Sequence, residues 1–422
     1  IWPNTQTPDD IGSSERLATN VDLNFALDFD PHFVEISFDA SLAPLSLTKF
    51  KVIKLANKIT PAVTRTTFYA KDVKNAESTM KKIGEKLSLM NGRVDFKSID
   101  TAETDILVKI DETYSAKFSA KSGYLSHLVN SKEGTETKCA MSFIKYGTTS
   151  ATEKSGAYLF LPDGPAVQLD SSSLVQWIRV EDEGTRRVRV CVNMTHLLHC
   201  VEFYPSTSKE LKYPLIGIWN MVDLRQTHNY ELALQIHTNI ENKDTFYTDL
   251  NGFQYVQRKR YAKLPVQGNV YPMPSGAFIQ DNKARMSLLS TQPLGVTSLD
   301  NSQLQVFLDR RLDQDDNRGL GQPTDDNRLT PSRFYVLIES INGNLAGSSS
   351  EKSEPLGSKN PSLLAQWLSF DLMNPIMKIM PSSNVKAKVA NAINLLTDQM
   401  SYPCDLRLVN LRTMQTSDNR PK

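Results

Sequence analysis

An arginine pair followed by closely spaced aspartates is the stretch of this sequence best suited to chemistry. Residues 307–322 read FLDRRLDQDDNRGLGQ, with Arg310 and Arg311 ahead of three aspartates at positions 313, 315 and 316. A guanidinium group hydrogen-bonds hydroxyls and carboxylates with fixed geometry. The stretch therefore suits either internal ion pairs or contact with a hydroxyl-rich ligand. Adjacent strand residues point to opposite faces, so only one arginine can enter a given site, and we expect the other to pair with the aspartates.

A second candidate stretch, residues 155–166, reads SGAYLFLPDGPA. Gly156 permits close backbone approach, and Pro162, Asp163 and Gly164 are typical of a turn. Tyr158 offers a ring for stacking and a hydroxyl for hydrogen bonding. The alternative is a core tyrosine whose hydroxyl has one internal partner.

Metal-ligand and nucleophile motifs are not found in the sequence. His196 and His199 are three residues apart, but no carboxylate completes a zinc motif. There is no C-x-x-C, no G-x-S-x-G and no phosphate-binding loop. We therefore predict no metal site and no catalytic residue within this chain.

Composition excludes several partner classes. The chain has 422 residues, 40% hydrophobic content and a net charge of +1, which favours a soluble globular chain of two or three domains and disfavours nucleic-acid binding. No apolar run approaches the roughly 20 residues of a membrane span. Because the chain begins with Ile1 rather than methionine, we interpret it as a segment of a longer protein.

Two of the four cysteines, Cys191 and Cys200, lie close enough in sequence for a small-loop disulfide. Asn193 begins the sequon Asn-Met-Thr between them, which makes Asn193 a candidate glycosylation site. A disulfide and a sequon together indicate the secretory pathway.

Strand patterns dominate the chain and predict an all-β fold. Val188, Val190 and Val192 alternate with polar residues and Cys191, as in a half-buried antiparallel strand. Asn-Gly pairs at 91–92, 251–252 and 342–343 favour hairpin turns. Helix is predicted only over 74–90 and 384–400.

Several longer motifs resemble the C-terminal β half of Golgi-type α-mannosidases, in glycoside hydrolase family 38. They are EKSGAYLFLPDGPA, DTFYTDLNGFQYVQRKR, KLPVQGNVYPMPSGAFIQD, RMSLLSTQPLGVTSL and DRRLDQDDNRGLGQPTDDN. The resemblance spans nearly the whole chain in order. It implies a large antiparallel β-sandwich of the galactose-mutarotase-like supersandwich type, with smaller flanking β-domain pieces and few helices. We expect the end of a small β-sandwich at 1–56, a connecting segment at 57–96, the supersandwich at 97–345, a loop and helical insertion at 346–400 and a further β segment at 401–422.

The resemblance also implies a function. Members of this family are retaining, zinc-dependent α-mannosidases that trim α1,3- and α1,6-linked mannose from hybrid N-glycans in the Golgi lumen, as type II membrane proteins. Their nucleophile, acid/base and zinc ligands lie in an N-terminal catalytic domain, so this segment alone is predicted to be inactive and to bind no zinc. Tyr158 resembles the tyrosine that reaches the bound mannose, and Arg310 or Arg311 resembles an arginine near the same site. The predicted partners are N-glycan mannose residues and the protein's own N-terminal catalytic domain.

Two other functions are weighed against this one. A non-catalytic carbohydrate-binding or assembly module on the same scaffold would commonly expose coplanar aromatic side chains, and the four tryptophans lie in scattered contexts. A mutarotase-like enzyme would need a histidine and a carboxylate on one concave sheet, and the sequence has no such pattern.

Overall fold

A computed structural model describes residues 46–50, 65–70, 93–99, 105–150, 152–169, 177–194, 196–205, 213–341, 359–376 and 392–394. The chain divides into two compact units. One comprises residues 1–33 and 61–376, and the other comprises residues 34–60 and 377–422. The boundaries expected from the sequence remain predictions.

The described residues form short strands and one α-helix. In chain order the strands are β1 Ser46–Thr48, β2 Arg65–Ala70, β3 Arg93–Ser98, β4 Asp105–Lys109, β5 Tyr114–Ser119, β6 Leu125–Asn130, β7 Thr135–Lys138, β8 Ala140–Tyr146, β9 Val167–Gln168, β10 Trp177–Asp182, β11 Val188–Met194, β12 Leu197–Tyr204, β13 Leu215–Val222, β14 Tyr230–His237, β15 Thr245–Leu250, β16 Gln254–Lys259, β17 Tyr271–Met273, β18 Gly276–Gln280, β19 Ala284–Ser290, β20 Leu294–Thr297, β21 Gln303–Arg311, β22 Thr330–Ser340 and β23 Ala392–Asn394. The helix α1 spans Leu363–Met373, and a 3₁₀ turn spans Val266–Asn269.

The described residues of the larger unit form three sheets. The eleven-stranded sheet has the order β16-β15-β18-β19-β22-β13-β12-β11-β10-β2-β3. The six-stranded sheet has the order β17-β20-β21-β14-β8-β9, and the four-stranded sheet has the order β4-β5-β6-β7. Pairing is antiparallel except between β2 and β3. In the smaller unit, β1 pairs with β23.

One hydrophobic core is shared by all three sheets. It includes Val190 and Val201 of the eleven-stranded sheet, Leu234 and Val306 of the six-stranded sheet, and Phe118 of the four-stranded sheet. Strands such as β11 and β14 contribute alternate residues to this core, as antiparallel sheets packed on one face require. The predicted all-β sandwich is confirmed.

The alternation predicted for β11 is observed, since its three valines are buried in the shared core while Cys191 lies in a second cluster. Asn251 and Gly252 form the predicted turn between β15 and β16, and both have positive φ angles. The other two Asn-Gly pairs lie outside the described residues.

Of the two predicted helices, one is not tested by the structure and the other is wrong in part. The 74–90 segment lies outside the described residues. The prediction over 384–400 is wrong at Ala392–Asn394, which form strand β23 paired with β1. The described α-helix, α1, lies upstream of that segment and packs on Leu289 and Leu337. Within the described residues, no helix is both long and apolar enough to cross a membrane.

Candidate functional site

Two loops that follow strands β8 and β21 of the six-stranded sheet meet each other. We call residues 152–166, between β8 and β9, the Tyr158 loop, and residues 312–327, between β21 and β22, the Asp316 loop. Gln314 Nε2 donates to the carbonyl of Ser155 at 2.6 Å. The sequence-predicted stretches 155–166 and 307–322 therefore come together although about 150 residues separate them.

Asp316 is the main link between the loops. Its Oδ2 atom accepts hydrogen bonds from the backbone N–H of Tyr158 at 2.6 Å and of Leu159 at 2.8 Å. The residue is only 1% exposed. Burial alone would raise its pKa, but backbone N–H groups, first those of Tyr158 and Leu159 and then those of Arg318 and Asp316 itself, lower it more, so the pKa of Asp316 lies below its ordinary value. The carboxylate is thus an ionised anchor for the Tyr158 backbone.

Gly156 makes this approach possible. A Cβ atom at position 156 would lie 2.5 Å from Cβ of Asp316 and 2.6 Å from its backbone nitrogen. Neither atom belongs to the flexible end of a side chain. The close approach predicted for Gly156 is therefore an approach to the Asp316 backbone.

Tyr158 is presented outward from this fixed backbone. Its side chain is 63% exposed, which excludes the core-tyrosine alternative. Leu320 is also exposed on the Asp316 loop. Arg318, two residues beyond Asp316, donates from Nη2 to Glu153 Oε1 of the Tyr158 loop at 2.7 Å. The surface therefore combines an aromatic ring, an exposed guanidinium and a carboxylate.

A β-bulge determines the contacts of Arg310. Ala233 of β14 pairs with Phe307 of β21, whereas Glu231 pairs with Arg310, so Leu308 is an extra residue. Without this shift Asp309 would lie opposite Glu231 and place two carboxylates together. Instead, Nη2 of Arg310 donates to Glu231 Oε1 at 3.0 Å and to the Leu159 carbonyl at 2.8 Å.

Glu231 is 4% exposed and strongly perturbed. Burial raises its pKa to about 7, while Arg310 and a hydrogen bond with Ser155 partly oppose that rise. The ion-pair partner of Arg310 is thus a glutamate 79 residues earlier in the chain, which sequence reasoning missed. Alternation in β14 was the available signal, because Glu231 lies on the face opposite the core residues Leu232 and Leu234.

Arg311 points elsewhere, as the alternation of strand residues predicts. Its Nη1 donates to the Asp325 carbonyl at 2.6 Å and is 3.4 Å from Asn327 Oδ1. The expected ion pair between one arginine and the nearby aspartates is wrong, since within the described chain neither Arg310 nor Arg311 is paired with an aspartate carboxylate.

The aspartates instead fix the loop. Asp315 accepts from the backbone N–H groups of Asn317 and Gly321 at 2.9 and 3.1 Å. Asp313 lies 2.9 Å from His228 Nδ1 at an exposed position. These contacts explain the charge in this stretch without giving the aspartates a direct role in binding.

Four buried polar atoms around these loops have no hydrogen-bond partner among the described residues. They are Nε of Arg310, Nε of Arg311, Oδ1 of Asp316 and Oγ1 of Thr324. An unpaired buried polar group costs about 1–3 kcal/mol, and such groups concentrate where a structure is built for more than packing. These four atoms therefore add to the reasons for treating the two loops as a candidate site.

Cys191 and Cys200 lie directly opposite each other on β11 and β12 and form a disulfide, with Cα atoms 4.1 Å apart. Asn193, in contrast, is only 2% exposed within β11. A glycan on its side-chain nitrogen would have to pass through packed neighbours, which argues against Asn193 as a glycosylation site.

His199, one of the two histidines considered as metal ligands, has a protein partner. Nδ1 of His199 lies 2.7 Å from Asn220 Oδ1 in the buried core. Burial lowers the pKa of His199 to about 4, so the ring is neutral. No group of three or more possible metal-ligating side chains occurs in the part of the chain that the structure describes.

The strand order, the shared core and the two meeting loops define a β-sandwich domain with a surface site at one end of the six-stranded sheet. Residues 111–318 match the family model described as "Glycosyl hydrolases family 38 C-terminal domain". The chain therefore belongs to glycoside hydrolase family 38, in its C-terminal part. The matched residues include the Tyr158 loop, β21 and the beginning of the Asp316 loop.

Curated relatives extend this match along the chain. "Alpha-mannosidase 2" of Rattus norvegicus is 40% identical over 300 residues, which cover 70% of this chain and 25% of the relative. The human protein of the same name is 34% identical over 383 residues, which cover 90% of this chain and 31% of the relative. The chain thus spans about a quarter to a third of the length of these relatives.

Solved structures show more distant likeness. An alpha-mannosidase from Enterococcus faecalis aligns at a TM-score of 0.44 with 10% identity and covers 68% of this chain and 33% of its own. A galactose mutarotase-like protein from Lactobacillus casei aligns at a TM-score of 0.31 with 11% identity, over 56% of this chain and 99% of its own.

Proposed function

We propose that this chain is the C-terminal β portion of an α-mannosidase and that the two loops form part of the wall of its mannose pocket. The observation that carries the proposal is the presentation of Tyr158, whose exposed side chain projects from a backbone anchored by Asp316. An aromatic ring stacks on the apolar face of a sugar, and its hydroxyl hydrogen-bonds sugar hydroxyls. The curated relatives named above support mannose as that sugar.

Arg318 is the charged donor that we add to this surface. Arg310 and Arg311 are each engaged through their Nη atoms with protein groups, and each retains one unpartnered Nε–H. Arg318 is more exposed, and its one ion pair lies at the surface. An exposed guanidinium on the loop that anchors the Tyr158 backbone suits a hydroxyl-rich ligand. In this proposal Arg310 and Arg311 support the two loops, and the Nε–H group of each is the donor that has no partner in the described part of the protein.

The bond-breaking chemistry is assigned to the N-terminal catalytic domain of the full-length protein. A retaining glycosidase needs two carboxyl groups about 5 Å apart around the scissile bond, and we nominate no such pair here. The described residues also lack a ligand cluster that fits zinc. We derive no step through zinc, and the expectation that the segment alone is inactive and binds no zinc rests on the family resemblance.

The linkage specificity and the cellular location that we propose are those of the family that the chain resembles. We propose that the full-length protein trims α1,3- and α1,6-linked mannose from hybrid N-glycans in the Golgi lumen, as a type II membrane protein. The disulfide between Cys191 and Cys200 supports an oxidising, secretory compartment.

Hydrolysis of an aryl α-mannoside by the full-length protein tests this function. Arg318→Ala should lower kcat/KM by about tenfold, because a half-exposed charged donor contributes toward the lower end of the usual 1.5–3 kcal/mol. Arg260→Ala is the matched control, since Arg260 also forms one exposed ion pair, with Asp244. Failure of the wild-type protein to hydrolyse the mannoside would overturn the proposal, and equal rates for the two variants would remove Arg318 from the site.

A further inference from the structure

Glu231 stands out as a buried ionisable group that the proposed pocket does not itself require. It lies on β14, the neighbour of β8, and its side chain contacts Ser155 directly and Leu159 only through Arg310. Arg310 of β21 donates to Glu231 Oε1 and also to the Leu159 carbonyl. Ser155 hydrogen-bonds the Glu231 carboxyl group directly. A single carboxyl group is thereby connected to both ends of the segment that contains Tyr158.

Ser155 gives this connection its rigidity. The residue is fully buried. Its N–H donates to Thr148 Oγ1 at 2.8 Å, and its Oγ accepts from the Leu161 N–H at 2.8 Å. Its carbonyl accepts from Gln314. Since every polar atom of Ser155 is engaged, a change at Glu231 transmits to the backbone on both sides of Tyr158.

Asp316 and Glu231 hold the same loop from different elements. Asp316 binds the N–H groups of Tyr158 and Leu159, whereas Glu231 acts on Ser155 and, through Arg310, on the Leu159 carbonyl. Because the Asp316 carboxylate is ionised, its hydrogen bonds with the N–H groups of Tyr158 and Leu159 do not change near neutral pH. Glu231 is the one of these two groups whose charge can change there.

We propose that Glu231 is a positioning residue for Tyr158, which it holds through Ser155 and Arg310 without touching the ligand. The inference rests on the proposed function only in assigning a sugar contact to Tyr158. Two consequences separate it from a role in packing alone. The frequency with which the Tyr158 loop opens should depend on pH. This dependence should disappear when the Glu231 carboxyl group is replaced by an amide.

The direction of the pH response follows from burial. Arg310 of β21 is the charged group that faces Glu231, and Tyr146 of β8, directly opposite in register, is the titratable group that faces it. Tyr146 is protonated at neutral pH, since burial raises its pKa to about 12. The buried Glu231 favours its protonated form, with a pKa near 7, whereas a hydrated glutamate has a pKa of 4.5. Openings of the loop that hydrate Glu231 therefore become more frequent as pH rises, by about tenfold between pH 6 and pH 8.

Hydrogen exchange of the peptide that covers residues 155–161, in the full-length protein, tests this without substrate. In the wild type, protection corrected for the intrinsic exchange rate should fall about tenfold from pH 6 to pH 8. Glu231→Gln should make the protection equal at the two pH values. Glu202→Gln is the control, because Glu202 is also buried but arginines outweigh its burial and lower its pKa to about 2. That variant should retain the wild-type pH response in this peptide.

Ser155→Ala provides a second variant if Glu231→Gln folds poorly. It removes the direct link, so protection of the peptide should fall at both pH values while the pH response persists. Protection that does not vary with pH in the wild type, or an unchanged response in Glu231→Gln, would overturn the proposal. The exchange measurement decides the inference even if Tyr158 proves not to contact mannose.

Discussion

Gly156→Ala is the substitution that most sharply perturbs the contact between the two loops. The new Cβ atom would lie 2.5 Å from Cβ of Asp316 and 2.6 Å from its backbone nitrogen, so one loop has to move by roughly 1 Å to restore ordinary contact. Overpacking of this kind costs about 1–3 kcal/mol in the free energy of unfolding. A displacement of about 1 Å at a positioning group costs roughly 100-fold in rate.

The assay is kcat/KM for an aryl α-mannoside together with denaturant unfolding, both on the full-length protein. Gly295→Ala is the control, because its added Cβ would meet side-chain atoms no closer than 3.4 Å. We expect Gly156→Ala to lose most of its activity while Gly295→Ala stays near the wild type. Equal activity and stability in both variants would refute the account of how Tyr158 is positioned.

Four further predictions concern stability and modification. Arg310→Ala should lower the free energy of unfolding by about 1–3 kcal/mol, because it leaves the buried Glu231 carboxyl group without its arginine. Arg311→Ala leaves no buried carboxyl group of the described residues without a partner and should lower it by less. Denaturant titration of both variants measures the difference. The His199 pKa of about 4 lies below the value of 6.5 in an unfolded chain, so the stabilising contribution of the neutral ring should be complete above pH 6.5. The free energy of unfolding should then fall by up to about 3 kcal/mol as the pH drops to 4. His199→Asn should reduce this loss, and denaturant unfolding at several pH values measures it. Mass spectrometry of a non-reduced digest should recover Cys191 and Cys200 as one linked peptide pair, and free thiols at both positions would contradict it. The same digest should show Asn193 without a glycan, since that side chain is buried, and a glycosylated Asn193 would contradict its position in β11.

Much of the fold could be predicted because it depends on local alternation. The valines of β11 and the Asn-Gly turn after β15 each specify a strand or hairpin from neighbouring residues alone. The 384–400 segment shows the limit of this approach. Its apolar spacing favours a helix, yet Ala392–Asn394 pair with a strand about 345 residues earlier, and that partner cannot be read from the segment itself.

The site was predictable in its parts but not in its contacts. Residue types singled out Tyr158, Gly156 and the arginine pair as candidates, and the family resemblance linked Tyr158 and the arginines to a sugar site. The structure brings their segments together. The acidic partner of Arg310 was assigned to the nearby aspartates because they are close in sequence. The bulge at Leu308 changes the register by one residue and places Glu231 opposite Arg310. A register shift of this kind depends on pairing with β14 and leaves no mark in the sequence of β21 itself.

The central claim is that Tyr158 contacts mannose in the pocket of an α-mannosidase. The most direct measurement is kcat/KM of Tyr158→Phe in the full-length protein, with Tyr261→Phe as a control at another exposed tyrosine. Loss of one hydrogen bond to an uncharged sugar hydroxyl is worth about 0.5–1.5 kcal/mol, so Tyr158→Phe should reduce kcat/KM by roughly threefold to tenfold while Tyr261→Phe leaves it unchanged. Wild-type kcat/KM in both Tyr158→Phe and Tyr158→Ala would contradict the claim.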